Sequence, residues 1–506
     1  LIVGDVKQSI YRFRNSDWTL LDEQVRFDFA ANEIAEETLD VNWRSHRNIV
    51  EFNNTFFTIV PALLQQVYNQ GLEESTLSQE QRDMFATKIM GAYAKSVQKV
   101  APRFQSKAGH VRVEFLPDEE DKSWKEEAML RLPPLMERLQ ENGYELRDIA
   151  ILVRTRKEGM EVAETLLEYK EAHPDSRYSY DIISEDALIV SNSSAVRFMI
   201  SMVQYVNRPE DPVVQQFALM AHTVMCRKAH VNDVREFVLK SHTDSFPDET
   251  LTEIQRLSHR SFYEMVEGIY RLFKSDVPDS EQIFVQAFLD IITDFVEGES
   301  VDADRFLKWW RETGVRNKIA TPDSQNAIRI LTIHKSKGLG FKAVIIPFGD
   351  WDVDQMNGSI VWCRPDKKPF DKLHLVPVNY SKELNKTHFA NEYYHEKLHA
   401  YIDNLNALYV AFTRAKEELI IFTPHNDVKR TKPISSLIWE SMQVSEVNEI
   451  QDEVELRSLS EGFDADESVF EWGSWWQTSS GNRSLVEEKA MSRIPSVLPD
   501  NRIHLR

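Results

Sequence analysis

At 506 residues, 42% of them apolar and 10% aromatic, the chain is long enough for about two to four domains with sizeable cores. Its 16 glycines are too few for a fibrous or low-complexity design, and no apolar run approaches the roughly 18 residues that a membrane helix needs. A formal charge of −21 speaks against loose, non-specific nucleic-acid binding while leaving room for a local basic groove.

In chain order, Leu1-Ile2-Val3 reads as a strand breaking at Gly4-Asp5, and Thr38–Asn42 as a second short strand. A helix follows with Ser45 as N-cap and Ile49, Phe52 and Phe56 on one face. Residues 66–108 are polar and helical in flavour, and Val111, Val113 and Phe115 alternate as a half-buried strand. Asp148–Arg154 is an apolar strand before an amphipathic helix over 157–172, and the rhythm returns at Ala327–Ile333, Ala343–Pro347 and Glu418–Thr423. Strands alternating with helices predict an α/β fold with a parallel, doubly wound sheet. Strand signals vanish between 206 and 325, where Phe306, Trp309 and Trp310 mark the core of an all-helical insertion. From 426 to 506 the chain reads as an acidic linker or interaction arm, Arg457 being the only base between Glu440 and Glu471, with Trp472, Trp475 and Trp476 in a Gly/Ser context. Cys226 and Cys363, the only cysteines, are too few for a disulfide framework and lack metal-ligand spacing. With no basic leader or cleavage site at the start, a reducing, cytoplasmic setting is expected.

Four constellations carry groups suited to phosphate or base recognition. Gly4–Arg14 combines Gln8, Arg12 and Arg14 with Tyr11 and Phe13, whose spacing suits base stacking. In Asn42-Trp43-Arg44-Ser45 an arginine precedes a helix start beside a ring that stacks on a purine or pairs with a surface cation. Leu331–Phe341 delivers Thr332, His334, Lys335 and Lys337 with Gly338 into one loop, suiting a phosphodiester backbone as well as a solvated basic turn. Leu408–Lys416 offers Arg414 from a helix whose Tyr409 and Phe412 face the core, the arrangement of an arginine finger or of an ordinary helix-surface arginine.

Together, in this order, the four resemble motifs III, IV, V and VI of superfamily 1 DNA helicases of the UvrD/Rep type. The wording Gly-Asp-Val-Lys-Gln-Ser-Ile-Tyr-Arg-Phe-Arg at 4–14 resembles the AddA/RecB branch, and Asp148–Thr155 is similar to the family's element between motifs IV and V. The resemblance spans residues 1–425 and implies a RecA-like fold: residues 1–36 as the end of a first RecA-like domain, 37–205 and 326–425 as a second, and 206–325 as its helical insertion. It implies that Gln8 senses a γ-phosphate, that Tyr11 and Phe13 stack on single-stranded bases with Arg14 beside them, and that Trp43 packs on adenine. By the same resemblance Arg44 and Arg414 reach the γ-phosphate, Gly338 lies at the nucleotide, Thr332, His334 and Lys337 join the DNA track to it, and Arg154 touches DNA backbone.

The family's Gly-Leu-Glu-Phe reads Gly-Leu-Gly-Phe here, Gly340 standing where a glutamate holds the ribose. No Gly-x-x-x-x-Gly-Lys-Ser/Thr run and no Mg²⁺-holding Asp-Glu-x-x-Asp segment occur in the 506 residues. The expectation is therefore an N-terminally truncated piece of an ATP- and Mg²⁺-dependent helicase tracking 3′→5′ on single-stranded DNA or DNA ends in bacterial recombinational repair. Such a piece binds nucleotide poorly and, alone, hydrolyses none; an AddB-like subunit is its expected partner, and a nuclease motif is expected beyond Arg506. Two rival readings are a non-catalytic helicase-like scaffold and an interaction module built on the helical insertion and the Trp-rich tail.

Overall fold

The computed structural model describes residues 2–14, 16–20, 24–29, 37–119, 122–184, 189–227, 246–278, 281–296, 302–317, 326–354, 359–368, 370–425, 433–445, 450–451 and 454–475; Trp476 and the rest of the expected arm lie outside them. In chain order the strands are β1 (Val41–Asn42), β2 (Lys99–Val100), β3 (His110–Leu116), β4 (Ile149–Val153), β5 (Ile182–Ser184), β6 (Ile328–Thr332) and β7 (Phe341–Ile346). There follow β8 (Ile360–Cys363), β9 (Val376–Asn379), β10 (Ala415–Pro424), β11 (Ile450–Gln451), β12 (Val454–Glu455), β13 (Phe463–Asp464) and β14 (Val469–Trp472).

An eight-stranded sheet runs β13-β14-β3-β10-β7-β4-β6-β5. Neighbours from β3 to β5 pair parallel, while β14 and β13 add an antiparallel edge. Parallel strands need cover on both faces, and the apolar runs supply two faces at period two. Ala150, Leu152, Val344, Ile346, Leu419 and Ile421 join the core beneath helices Arg47–Glu73 and Ala390–Phe412. Their sequence neighbours Ile149, Ile151, Val153, Ala343, Ile345 and Ile420 point the other way, under helices Trp124–Glu141 and Arg156–Ala172.

A second body is wholly helical, and its core gathers residues from Val190 to Trp310, with Phe306 and Trp310 buried and Trp309 packed against them. It starts earlier than the expected residue 206, because helix Ser194–Asn207, capped by Ser193, gives Phe198, Met199, Met202 and Val203 to this core and none to the sheet. The chain enters and leaves the body through a tied neck: the Val190 amide donates to the Asn317 carbonyl at 2.9 Å, and Ser191 Oγ to that of Val315 at 2.9 Å.

Three further expectations are corrected. Residues 2–5 form no strand; Ile2 and Val3 are exposed and pair with no strand among the described residues. His46 rather than Ser45 caps helix Arg47–Glu73, because Ser45 Oγ is taken by the Ala415 carbonyl at 2.6 Å. The stretch at 454–475 is no free arm: Phe470 and Trp472 are buried, and β14 pairs with β3 from Val469↔Glu114 to Trp472↔Val111.

Candidate functional site

Two groups of polar side chains converge on the segment 332–341 between β6 and β7. The first is cationic. Asn42 Oδ1 accepts from the amides of Arg44 and Ser45 at 2.9 and 3.0 Å, and the His46 amide donates to the Lys416 carbonyl at 2.8 Å, so the loop after β1 is zipped to the start of β10. This brings Arg44 Nη1 to the Thr413 carbonyl at 3.1 Å. Arg414 is fully buried: Nε donates to the Val410 carbonyl at 2.8 Å, Nη1 to that of Leu339 at 2.9 Å and Nη2 to Thr413 Oγ1 at 2.9 Å. Gly340 lies between, where an added Cβ would meet Lys416 Cε at 3.1 Å and Arg44 Cδ at 3.3 Å.

Thus Arg44, Arg414 and Lys416 surround one loop, and among the described residues none of the three has a carboxylate within ion-pair distance. Burial, reinforced by Arg44, pulls the Arg414 guanidinium down to about 10, with Tyr409 and Asp5 opposing the drop. Such a concentration of unneutralised positive charge suits an anion.

The turn Val6–Gln8 faces the same end of helix Ala390–Phe412. Asn406, fully buried, donates to the carbonyls of Val6 and Ser9, both at 3.0 Å, and accepts from the Tyr93 hydroxyl at 2.7 Å. Gln8 Nε2 donates to Asp5 Oδ2 at 2.9 Å, while Lys7 pairs with Asp5 Oδ1 at 2.9 Å. Trp43 is 58% exposed, and the Arg103 guanidinium lies over its ring at 5.7 Å, so the surface cation–π pair is present.

The second group lies around Tyr11, whose hydroxyl donates to the His334 carbonyl at 2.7 Å. Lys337 Nζ and the exposed Arg14 guanidinium lie over the Tyr11 ring at 5.1 and 5.6 Å. Burial, then Arg154, lowers the His334 pKa. Arg154 follows β4 and is drawn inward: Nη2 donates to Asn404 Oδ1 at 3.1 Å, the group lies 5.5 Å from the Trp351 ring, and Nη1 is buried without a hydrogen-bond partner. Thr332 is the N-cap of the short helix Ile333–Ser336 without a side-chain capping bond. Gly338 has φ of +87°, with open space where a Cβ would stand. Phe13 lies on the turn Arg12–Arg14, but its side chain is outside the described residues.

The motifs thus name residues that the fold gathers, but three members of the site lie outside their signal. Lys416, two positions after Arg414, reads as a strand residue; Asp5 reads as a strand breaker; Asn406 belongs to no motif. The expectation that both arginines are offered outward holds for Arg44 alone.

Residues 197–426 match the model of the UvrD-like helicase C-terminal domain. The chain is 22% identical over 483 residues to the AddA subunit of the ATP-dependent helicase/nuclease of Oceanobacillus iheyensis, covering 83% of this chain and 37% of that protein. With the protein of the same name from Ligilactobacillus salivarius it shares 23% over 486 residues, 84% of this chain and 37% of the relative. A stretch of 144 residues is 31% identical to the Clostridium acetobutylicum counterpart, 27% of this chain and 11% of that one. The chain thus spans little more than a third of the length of the first two relatives. No helix among the described residues is long and apolar enough to cross a membrane. The chain accordingly carries a UvrD-like helicase C-terminal domain within a longer stretch of similarity to AddA-type helicase/nuclease proteins.

Proposed function

We propose that this chain is the part of an ATP-dependent DNA helicase of the AddA type that closes over the terminal phosphates of ATP and relays that closure to single-stranded DNA. The observation that carries the reading is the convergence of Arg44, Arg414 and Lys416 on the Gly340 loop with no carboxylate paired to them. The residues fit a polyphosphate, which supplies the energy of hydrolysis when bound. Arg44, exposed at the rim, would neutralise charge on the transferred phosphoryl group; Arg414 would hold the loop and add positive potential from behind. Mg²⁺ finds no comparable ligand set here, since Asp5 is engaged by Lys7 and Gln8, and no step is assigned to it.

Tyr11 would carry the coupling, because its hydroxyl bonds the segment whose other end lies at Gly340. With Arg14, Lys337 and Phe13 it would meet a single strand, tracked 3′→5′ by family resemblance, in repair of DNA ends with an AddB-like partner in the bacterial cytoplasm. The phosphate cradle would come from a P-loop domain outside these residues. Joining this chain to that domain of the Oceanobacillus relative and measuring DNA-stimulated ATP hydrolysis tests the reading. Arg44→Ala is expected to lose about 10³-fold in turnover; unchanged turnover would remove Arg44 from hydrolysis.

One observation favours a second reading, a helicase-like scaffold without turnover: Arg414 spends three N–H donors on protein acceptors. The joined protein separates the two, a scaffold showing no DNA-stimulated hydrolysis at all.

A further inference from the structure

Far from the sheet, the helical body holds three ligand-type side chains at one point. His222 and Cys226 lie one turn apart on helix Pro212–Arg227, so they share a face. Asp276 reaches them from the turn after helix Phe262–Phe273, its amide bonded to the Phe273 carbonyl at 3.0 Å. His222 Nε2 stands 2.8 Å from Asp276 Oδ2, Cys226 Sγ stands 3.6 Å from His222 Nε2, and all three ligand atoms lie within 4.8 Å of one another.

These separations decide between a hydrogen-bonded pair and something more. Tetrahedral zinc, with bonds of about 2.0–2.3 Å, holds a sulfur and a nitrogen ligand about 3.5 Å apart and a nitrogen and an oxygen about 3.4 Å apart. The sulfur–nitrogen distance already fits. The nitrogen–oxygen distance is that of a shared proton, and it opens by about half an ångström when a metal ion replaces that proton.

The surroundings are those of a built site. The other carboxylate oxygen, Asp276 Oδ1, accepts from Ser275 Oγ at 3.2 Å, fixing the direction of Oδ2. The His222 ring is held among Phe198, Phe273 and Phe246, with centroids 5.2, 5.4 and 6.2 Å away, an apolar collar that orients it. Cys226 is exposed, which gives an ion a way in.

We propose that His222 Nε2, Cys226 Sγ and Asp276 Oδ2 bind one zinc-class transition-metal ion, with the fourth position left to solvent. A nitrogen, a sulfur and an oxygen donor select such an ion over Mg²⁺ or Ca²⁺, which take oxygen alone. Binding ties helix Pro212–Arg227 to the turn at Asp276 and so braces the helical body. The proposal does not depend on the nucleotide reading.

The whole chain, stripped with a chelator and titrated with Co²⁺, tests it. One equivalent is expected to give thiolate-to-cobalt absorption with tetrahedral visible bands, both erased by one equivalent of Zn²⁺. C226S should lose the thiolate band while C363S keeps it, and H222Q and D276N should each weaken binding at least tenfold. Ser275→Ala is expected to weaken it about 10-fold or more. Zn²⁺ should also raise the melting temperature of the parent and leave that of C226S unmoved, which separates loss of the site from loss of fold. Absence of the thiolate band in the parent, or its survival in C226S, overturns the proposal.

Discussion

Arg44 and Arg414 are chemically alike and structurally opposite. The first is at the rim with one bond to a backbone carbonyl; the second is sealed in, and its removal strands two carbonyls and a hydroxyl in a dry interior. A buried acceptor left without its charged donor costs about 1–3 kcal/mol. Arg414→Ala is therefore expected to lower unfolding free energy by about 3 kcal/mol or more, and Arg44→Ala by less than about 0.5 kcal/mol, in urea titrations of the two variants. Equal losses would mean that Arg414 is not held as described. Loss of turnover in Arg414→Ala alone says little about phosphate, and Arg44→Ala is the cleaner probe. That both arginines matter is legible in the motifs. That one is inside is not, because Leu339 and Val410, whose carbonyls bind it, come from different parts of the chain.

Helix Arg47–Glu73 begins at a buried histidine. The His46 ring packs against Phe104 at 5.3 Å, and burial, with Lys107 nearby, holds its pKa at about 4 against an ordinary 6.5. The neutral ring is the folded form, so this contribution is complete above pH 6.5 and is lost as the pH falls towards 4. The loss approaches about 3 kcal/mol at the acid end. Melts of the parent and His46→Gln at pH 7 and pH 4.5 are expected to converge at the acid value; a constant gap would remove His46 as the acid-sensitive point. Elements such as β4 and β7 are legible because buried parallel strands are unbroken apolar runs. β14 is not, because it alternates: Glu471 stands between buried Phe470 and Trp472, and counting charge over the stretch hides the buried half. Its docking is close, since a Cβ on Gly473, at φ +85°, would stand 2.2 Å from the Gly109 carbonyl oxygen. The apolar start at Ile2-Val3 misleads in the opposite sense, because a strand needs a neighbour as well as a pattern.

The whole molecule has two kinds of core. The helical body's buried cluster shares no residue with those on either face of the sheet. Phe288→Ala, which empties the centre of the helical cluster, is expected to cost about 3–5 kcal/mol there. Differential scanning calorimetry should show one transition lowered and the sheet's unmoved; a single shifted transition would mean that the bodies unfold as one. The α/β alternation and the long helical stretch make this division readable in the sequence, though not its boundary, because helix Ser194–Asn207 follows the strand rhythm while packing its apolar face elsewhere.

The neck at Val190 and Asn317 has a consequence of its own. Because the chain departs and returns at one hydrogen-bonded point, β5 and β6 remain neighbours in the sheet however large the structure between them grows. The helical body is in this sense a cassette. It can be enlarged, trimmed or exchanged at its outer end without altering the strand order on which the arginine loop depends.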